Sequence, residues 1–201
     1  NKFDYFKPVR NCKYPTETSH AALCDKVFIG SKYHQDKLHW HNTVVTYLPF
    51  PPIETYSHET KSIDIISASR PNPQKVDLEL EGEVEKLFGK IRRLKCDTWS
   101  QYYKFLGQSK ILLITSHEDT FGYQIVDAIL NGCVPIARNA LAYPEILPKE
   151  YLYSNKEELL SLIVKVLNHE LLVPKIKCEK QMNNFYKKIV SEFTKEVDYP
   201  F

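Results

Sequence analysis

The sequence predicts an α/β protein built on a doubly wound parallel sheet, and three observations carry that expectation. From Ile63 to Asn155, short β-branched runs alternate with stretches of helical pattern. The runs at 111–115 and 133–137 are almost continuously apolar rather than alternating, as strands covered on both faces are. Gly107 and Gly132 each fall just after a helical stretch, where a left-handed C-terminal residue is wanted. Strands spaced by helices in this way bury both faces of a parallel sheet.

The expected strands are 63–67, 90–94, 111–115 and 133–137, with helices over 74–88, 98–106 and 122–130 between them. A smaller piece precedes this domain. It holds a helix over 17–23, a buried strand over 26–29, and Ser31 as the N-cap of a helix over 32–40. The run 44–48 and the stiff Pro49-Phe50-Pro51-Pro52 follow. Such a piece cannot close a core, so residues 1–48 are expected to be the tail end of a larger domain. The remaining divisions are a linker over 49–62, the α/β domain over 63–168, and a C-terminal helical segment over 169–201. The chain opens at Asn1 rather than at a methionine, and upstream sequence is expected.

Composition sets bounds rather than a function. With 43% hydrophobic and 26% charged residues in 201, the chain is ordinary for a globular protein that can bury a sizeable core. A net charge of +2 does not by itself argue for a nucleic-acid or membrane partner. The basic cluster from Lys90 to Lys95 is interleaved with apolar residues and reads most simply as a solvated edge. Five scattered cysteines without a C-x-x-C spacing point to reduced thiols and a cytoplasmic setting. No apolar run approaches the ~20 residues of a membrane helix.

Two clusters carry chemistry. Arg70 sits where the first strand of the α/β domain ends, and Lys75 follows across a proline-stiffened turn. Open α/β sheets bind ligands at this edge, and a guanidinium fork beside an ammonium suits a pyrophosphate. Two exposed loop charges would be the plainer account of that pair alone. The second cluster runs Thr115-Ser116-His117-Glu118-Asp119-Thr120-Phe121-Gly122-Tyr123 and on to Asp127. It begins at a strand end and enters a helix whose first amides would face an anion. Gly122 lets the backbone approach a ligand closely. Asp119 and Asp127 can both look toward one crevice, where carboxylates suit sugar and ribose hydroxyls. The helix dipole would explain Glu118 and Asp119 without a ligand, but not Asp127 inside an apolar run. No Gly-x-Gly-x-x-Gly turn is present, which argues against a dehydrogenase.

With these residues in place the sequence resembles glycosyltransferase family 4 and its GT-B relatives. The family's C-terminal domain carries an Arg-x4-Lys pair and a Ser-x-x-Glu-x-Phe-Gly-x4-Glu segment. Arg70 and Lys75 match the pair; Ser116, Asp119, Phe121, Gly122 and Asp127 match the segment, with aspartate at both acidic positions. Asn131 to Ile136 is similar to the family's Gly-x-Pro-Val strand and Pro144-Glu145-Ile146 to its Pro-Glu-Ile turn. The usual Gly-Gly is replaced by Leu141-Ala142. The wording from Leu141 to Ile146 leans toward the branch that includes the tRNA-queuosine mannosyltransferases. An aspartate is shorter than the family's glutamate by about 1.5 Å of reach. Glu118 stays open as a substitute for Asp119, although the spacing to Phe121-Gly122 favours Asp119.

The resemblance implies a GT-B fold: a Rossmann-like donor domain, preceded by the end of a second Rossmann-like domain on the acceptor side. The last helix, 178–196, would return toward that second domain. It also implies a retaining, metal-independent transfer of a sugar from a nucleotide diphosphate sugar, with no cofactor. Arg70, Lys75 and Asp119 would be catalytic. Arg70, Lys75, Ser116, Asp119, Thr120, Phe121, Gly122, Tyr123 and Asp127 would bind the donor. The acceptor is open among a modified nucleic-acid base, a lipid and a polysaccharide. A non-catalytic nucleotide-sugar or partner-binding module is the alternative if the native chain lacks the N-terminal domain. His34, His39, His41 and His58 around Trp40 match no metal-site spacing.

Overall fold

The computed structural model describes residues 21–38, 40, 42–51, 55–68 and 72–194. The chain divides into two compact units, Pro52–Lys177 and a second formed by Asn1–Pro51 with Cys178–Phe201.

In the unit Pro52–Lys177 the apolar runs become strands. The first three, in chain order after two strands of the other unit, are β3 (Ile63–Ser67), β4 (Arg92–Arg93) and β5 (Ser109–Ile114). They are followed by β6 (Val134–Arg138) and β7 (Leu152–Tyr153). The sheet order is β4-β3-β5-β6-β7, and every pair is parallel. Ile111, Leu112, Leu113 and Ile114 of β5 are fully buried, each contributing about 1.5–3 kcal/mol of transfer free energy. That is why β5 sits in the middle of the sheet.

Three helices connect the inner strands. They are α2 (Leu78–Phe88), α3 (Trp99–Gly107) and α4 (Tyr123–Leu130). After β6 come the short α5 (Tyr143–Ile146) and, beyond β7, α6 (Lys156–Leu167). Helix α2 begins at Leu78 rather than at the expected residue 74. Asn72 and Pro73 start a turn in which Lys75 N and Val76 N both donate to Asn72 O, and Asp77 then caps the helix by accepting from Leu80 N at 3.0 Å.

Gly132 is left-handed at φ +69°, as its position after α4 predicts. Gly107 is not. It is the last residue of α3, and a Cβ there would lie 2.3 Å from Tyr56 O, so close backbone approach rather than handedness demands glycine. Residues 56–62, expected in the linker, are tied to this unit: Tyr56 N donates to Asn131 Oδ1 at 2.7 Å, and Lys61 Nζ to Gly107 O at 2.7 Å.

In the other unit, β1 (Val27–Ile29) and β2 (Thr43–Val45) form a parallel pair. Between them α1 (Lys32–Leu38) starts at Ser31, whose Oγ accepts from His34 N at 3.2 Å. The expected helix over 178–196 is two helices, α7 (Glu179–Asn183) and α8 (Phe185–Thr194), separated at Asn184. Helix α8 packs on the strand pair. Lys26 Nζ donates to Glu192 O at 2.9 Å, Lys188 Nζ donates to Val45 O, and the Phe28 and Phe193 rings lie 5.8 Å apart. The expected helix over 17–23 falls mostly outside the described residues.

Candidate donor-binding site

The site is set by topology. From β3 the chain steps outward to β4, then crosses back to β5 on the other side of β3. Strand order reverses there, which opens a crevice at the carboxyl ends of β3 and β5.

The two loops leaving those strands are fastened together. His117 N and Glu118 N both donate to Gln74 O, at 2.9 and 3.0 Å. Ser116 Oγ donates to Lys75 O at 2.8 Å. Lys75 Nζ donates to Glu118 O at 2.7 Å, and an ammonium has two further donors for an anion. Asp77, the cap of α2, accepts from Arg138 at 2.7 Å, which anchors the first loop to the end of β6. Ser116 is buried and acts here as a clip between loops. Arg70 lies outside the described residues.

Asp119 and Glu118 part ways. Glu118 offers its carbonyl to Lys75, whereas the Asp119 carboxylate accepts from Tyr143 Oη at 3.0 Å and Gln124 Nε2 at 3.3 Å, both on Oδ2. Burial and the Asp119 charge push the Tyr143 hydroxyl far above the ordinary tyrosine range, so it stays a donor. Gly122 then turns the chain into α4 at φ +103°. A Cβ on Gly122 would meet two Tyr143 ring carbons at 3.0 Å, so both handedness and space call for glycine. No side chain caps this helix start. Thr120 is exposed and Tyr123 half-buried. Phe121 is only 2% exposed; its ring anchors the turn 5.5 Å from that of Tyr123, so its side chain belongs to the core.

Asp127 lies one turn inside α4 and is buried, with the Tyr102 hydroxyl 3.4 Å from its Oδ2. Burial raises its carboxyl to about 7, and the tyrosine bond offsets part of that rise. Asp127 forms a wall of an open cleft of about 460 Å³, shared with Gln124, Tyr102, Trp99, Leu94 and Cys96.

The structure thus brings Lys75, Asp119, Gly122 and Asp127 to one edge of the sheet. Tyr102 and Tyr143 join them, and neither is among the expected site residues: Tyr102 reads as a packing residue in the sequence, and nothing local tells that Tyr143 meets Asp119. Among the described residues no group of three His, Cys, Asp or Glu is placed to hold a metal ion. Nor is any helix long and apolar enough to cross a membrane.

Known proteins supply the comparison. The chain is 34% identical over 113 residues to the tRNA-queuosine alpha-mannosyltransferase of Drosophila melanogaster, a match covering 56% of this chain and 29% of that protein. No protein-family model matches. Among solved structures, Anabaena Alr3699/HepE in complex with UDP-glucose superposes with a TM-score of 0.64 at 14% identity, over 90% of this chain and 68% of that one. The pneumococcal O-GlcNAc transferase GtfA in complex with UDP and GlcNAc gives a TM-score of 0.53 at 16% identity, over 90% and 46%. The chain therefore spans under a third of the curated relative and between about half and two thirds of these structures.

The fold is that of the GT-B glycosyltransferases, an α/β architecture of parallel sheets. Within that class, the sequence is similar to the tRNA-queuosine mannosyltransferase branch.

Proposed function

We propose that the unit Pro52–Lys177 binds a nucleotide diphosphate sugar, and that the protein transfers the sugar with retention of configuration. The observation that carries this is the convergence of Lys75, the uncapped start of α4, Asp119 and Asp127 at the switch-point edge. Asp127 accepts the ribose hydroxyls. Lys75, Arg70 and the first amides of α4 hold the pyrophosphate, and Asp119 orients the sugar.

When the bond between the anomeric carbon and the β-phosphate oxygen breaks, negative charge grows on the phosphate and positive charge on the ring. The fixed cations and amides stabilise the departing oxygen electrostatically, without a protein-held metal or a cofactor. The acceptor hydroxyl attacks from the face that the phosphate leaves, and its proton passes to that phosphate. Likeness to the fly enzyme supports a tRNA nucleotide as acceptor and mannose as the sugar. The cytoplasmic setting accords with Cys96 and Cys133 remaining thiols. We also infer that β1, β2 and α8 belong to a larger Rossmann-like domain, because a two-stranded parallel sheet cannot bury both of its faces.

The test is transfer. The protein is incubated with UDP-, GDP- and ADP-sugars and total tRNA, and tRNA digests are weighed by mass spectrometry. One donor should add the mass of a hexose to one nucleoside, with the anomeric configuration of the donor by NMR. Inversion of configuration would remove the retaining mechanism. Hexose-free tRNA with every donor would remove the acceptor.

A further inference from the structure

Trp99 opens α3 and stands 72% exposed. It is placed rather than loose: Thr98 caps the helix by accepting from Gln101 N at 3.2 Å. The indole stacks on Tyr103 with centroids 6.1 Å apart and planes at 24°. Tyr102 meets it edge-on at 5.9 Å. A large aromatic held in a fixed stack yet left open to water is ready to take another flat ring.

The surroundings say which kind. Between residues 90 and 104 the chain carries five cations and one carboxylate, Asp97. Arg93 is committed to Glu81 and Glu85. Lys90, Arg92, Lys95 and Lys104 are exposed, and no ion pair engages them among the described residues. An aromatic step inside a positive field is the arrangement that holds unpaired nucleotides: bases stack on the rings while cations follow the phosphates. A protein partner would want an apolar core depleted of charge, lysine above all, around the indole instead.

Trp99 also borders the cleft that holds Asp127, so a base on the indole would lie at the mouth of the donor site. We propose that the Trp99–Tyr103 step, flanked by Lys95 and Lys104, is a stacking platform for an unpaired base of the RNA acceptor. This rests on the donor-site reading above, and it deepens that reading by naming where the acceptor is gripped.

The experiment uses the full chain. Fluorescein-labelled tRNA and a short single-stranded RNA are titrated by anisotropy, while nucleotide diphosphates are titrated by calorimetry. Trp99→Ala should weaken both RNAs by about tenfold or more and Trp99→Phe should retain most of the affinity; nucleotide affinity should stay within about twofold in the Lys95→Gln/Lys104→Gln double variant, since neither lysine lines the cleft. The Lys95→Gln/Lys104→Gln double variant, with the indole intact, should flatten the salt dependence of RNA binding by about two contacts' worth. It serves as the second probe should Trp99→Ala lose its thermal transition.

Unchanged RNA affinity in Trp99→Ala would overturn the platform. So would a fall in nucleotide affinity alone, which would make Trp99 a wall for the donor base. A parent that binds nucleotide but no RNA also overturns the platform and leaves the donor reading standing. A parent that binds RNA through Trp99 but no nucleotide diphosphate does the reverse.

Discussion

Asp127 makes the donor site readable by pH. Burial pushes its carboxyl up to about 7 in the free protein, a rise that the Tyr102 hydroxyl offsets only in part. About one-tenth of the molecules are ionised there at pH 6 and about nine-tenths at pH 8. A ribose donates two hydroxyls, and the carboxylate is the form that accepts both. Affinity for a nucleotide diphosphate sugar should therefore rise about tenfold from pH 6 to pH 8 and then level off. The diester pyrophosphate of such a ligand does not titrate in this window, which isolates the protein group. Asp127→Asn should bind with a flat profile and, at pH 8, about 1.5–3 kcal/mol more weakly than the parent.

The free protein must show the opposite trend. A carboxyl whose folded value is raised above 3.8 contributes stability that is full at low pH and is lost as pH rises through about 7. Asp127→Asn should then stabilise the free protein at pH 8, by up to about 4 kcal/mol, and leave it near parental at pH 4. Calorimetric titrations and urea melts at both ends of the range check this. Identical pH profiles for parent and variant would refute the placement of the ribose on Asp127.

Four further perturbations separate the roles of the site. Asp119→Asn should cut turnover by about 10²-fold while leaving free nucleotide affinity near parental, the signature of a contact made in the transition state; Tyr143→Phe should move the same constant less, because the hydroxyl acts on the sugar through Asp119, whose Oδ2 it holds. Lys75→Ala should weaken nucleotide binding by about 1.5–3 kcal/mol in calorimetry, and unchanged affinity would take the pyrophosphate off this lysine. Gly122→Ala should destabilise the fold by about 1–3 kcal/mol in urea melts, from left-handed strain and the Tyr143 ring behind it; a parental melt would mean that the turn relaxes freely.

The architecture was legible because β5 and β6 are runs that bury on both faces, and their short length and β-branched content set such runs apart from the helices between them. What escaped depends on tertiary contacts or on very short elements. Strand β7 has two residues, too few for a pattern. Gly107 carries the composition of a helix stop but answers to Tyr56, a contact fifty-one residues away in the chain. The start of α2 had a local signal that outranks helical periodicity, since Asn72-Pro73 turns the chain and Asp77 caps the helix.

The motif spacing singles out Lys75, Asp119, Gly122 and Asp127, and the structure places them on the loops after β3 and β5 and in the first turns of α4. Their partners were invisible. Tyr102 and Tyr143 lie twenty-five and twenty-four residues from the carboxylates they meet, and only the packing of α3 and α5 against α4 and its loop brings them there. Ser116 and Phe121 were found by the motif, but the structure gives their side chains to the clip and the core.

The claim on which the rest depends is that this edge of the sheet holds a nucleotide diphosphate. Isothermal titration of the full chain with UDP, GDP and ADP, each with and without its sugar, tests it directly. At least one of the three should bind saturably and one-to-one, and more weakly in both Lys75→Ala and Asp127→Asn. Binding of none, or binding that both variants keep at full strength, would contradict it.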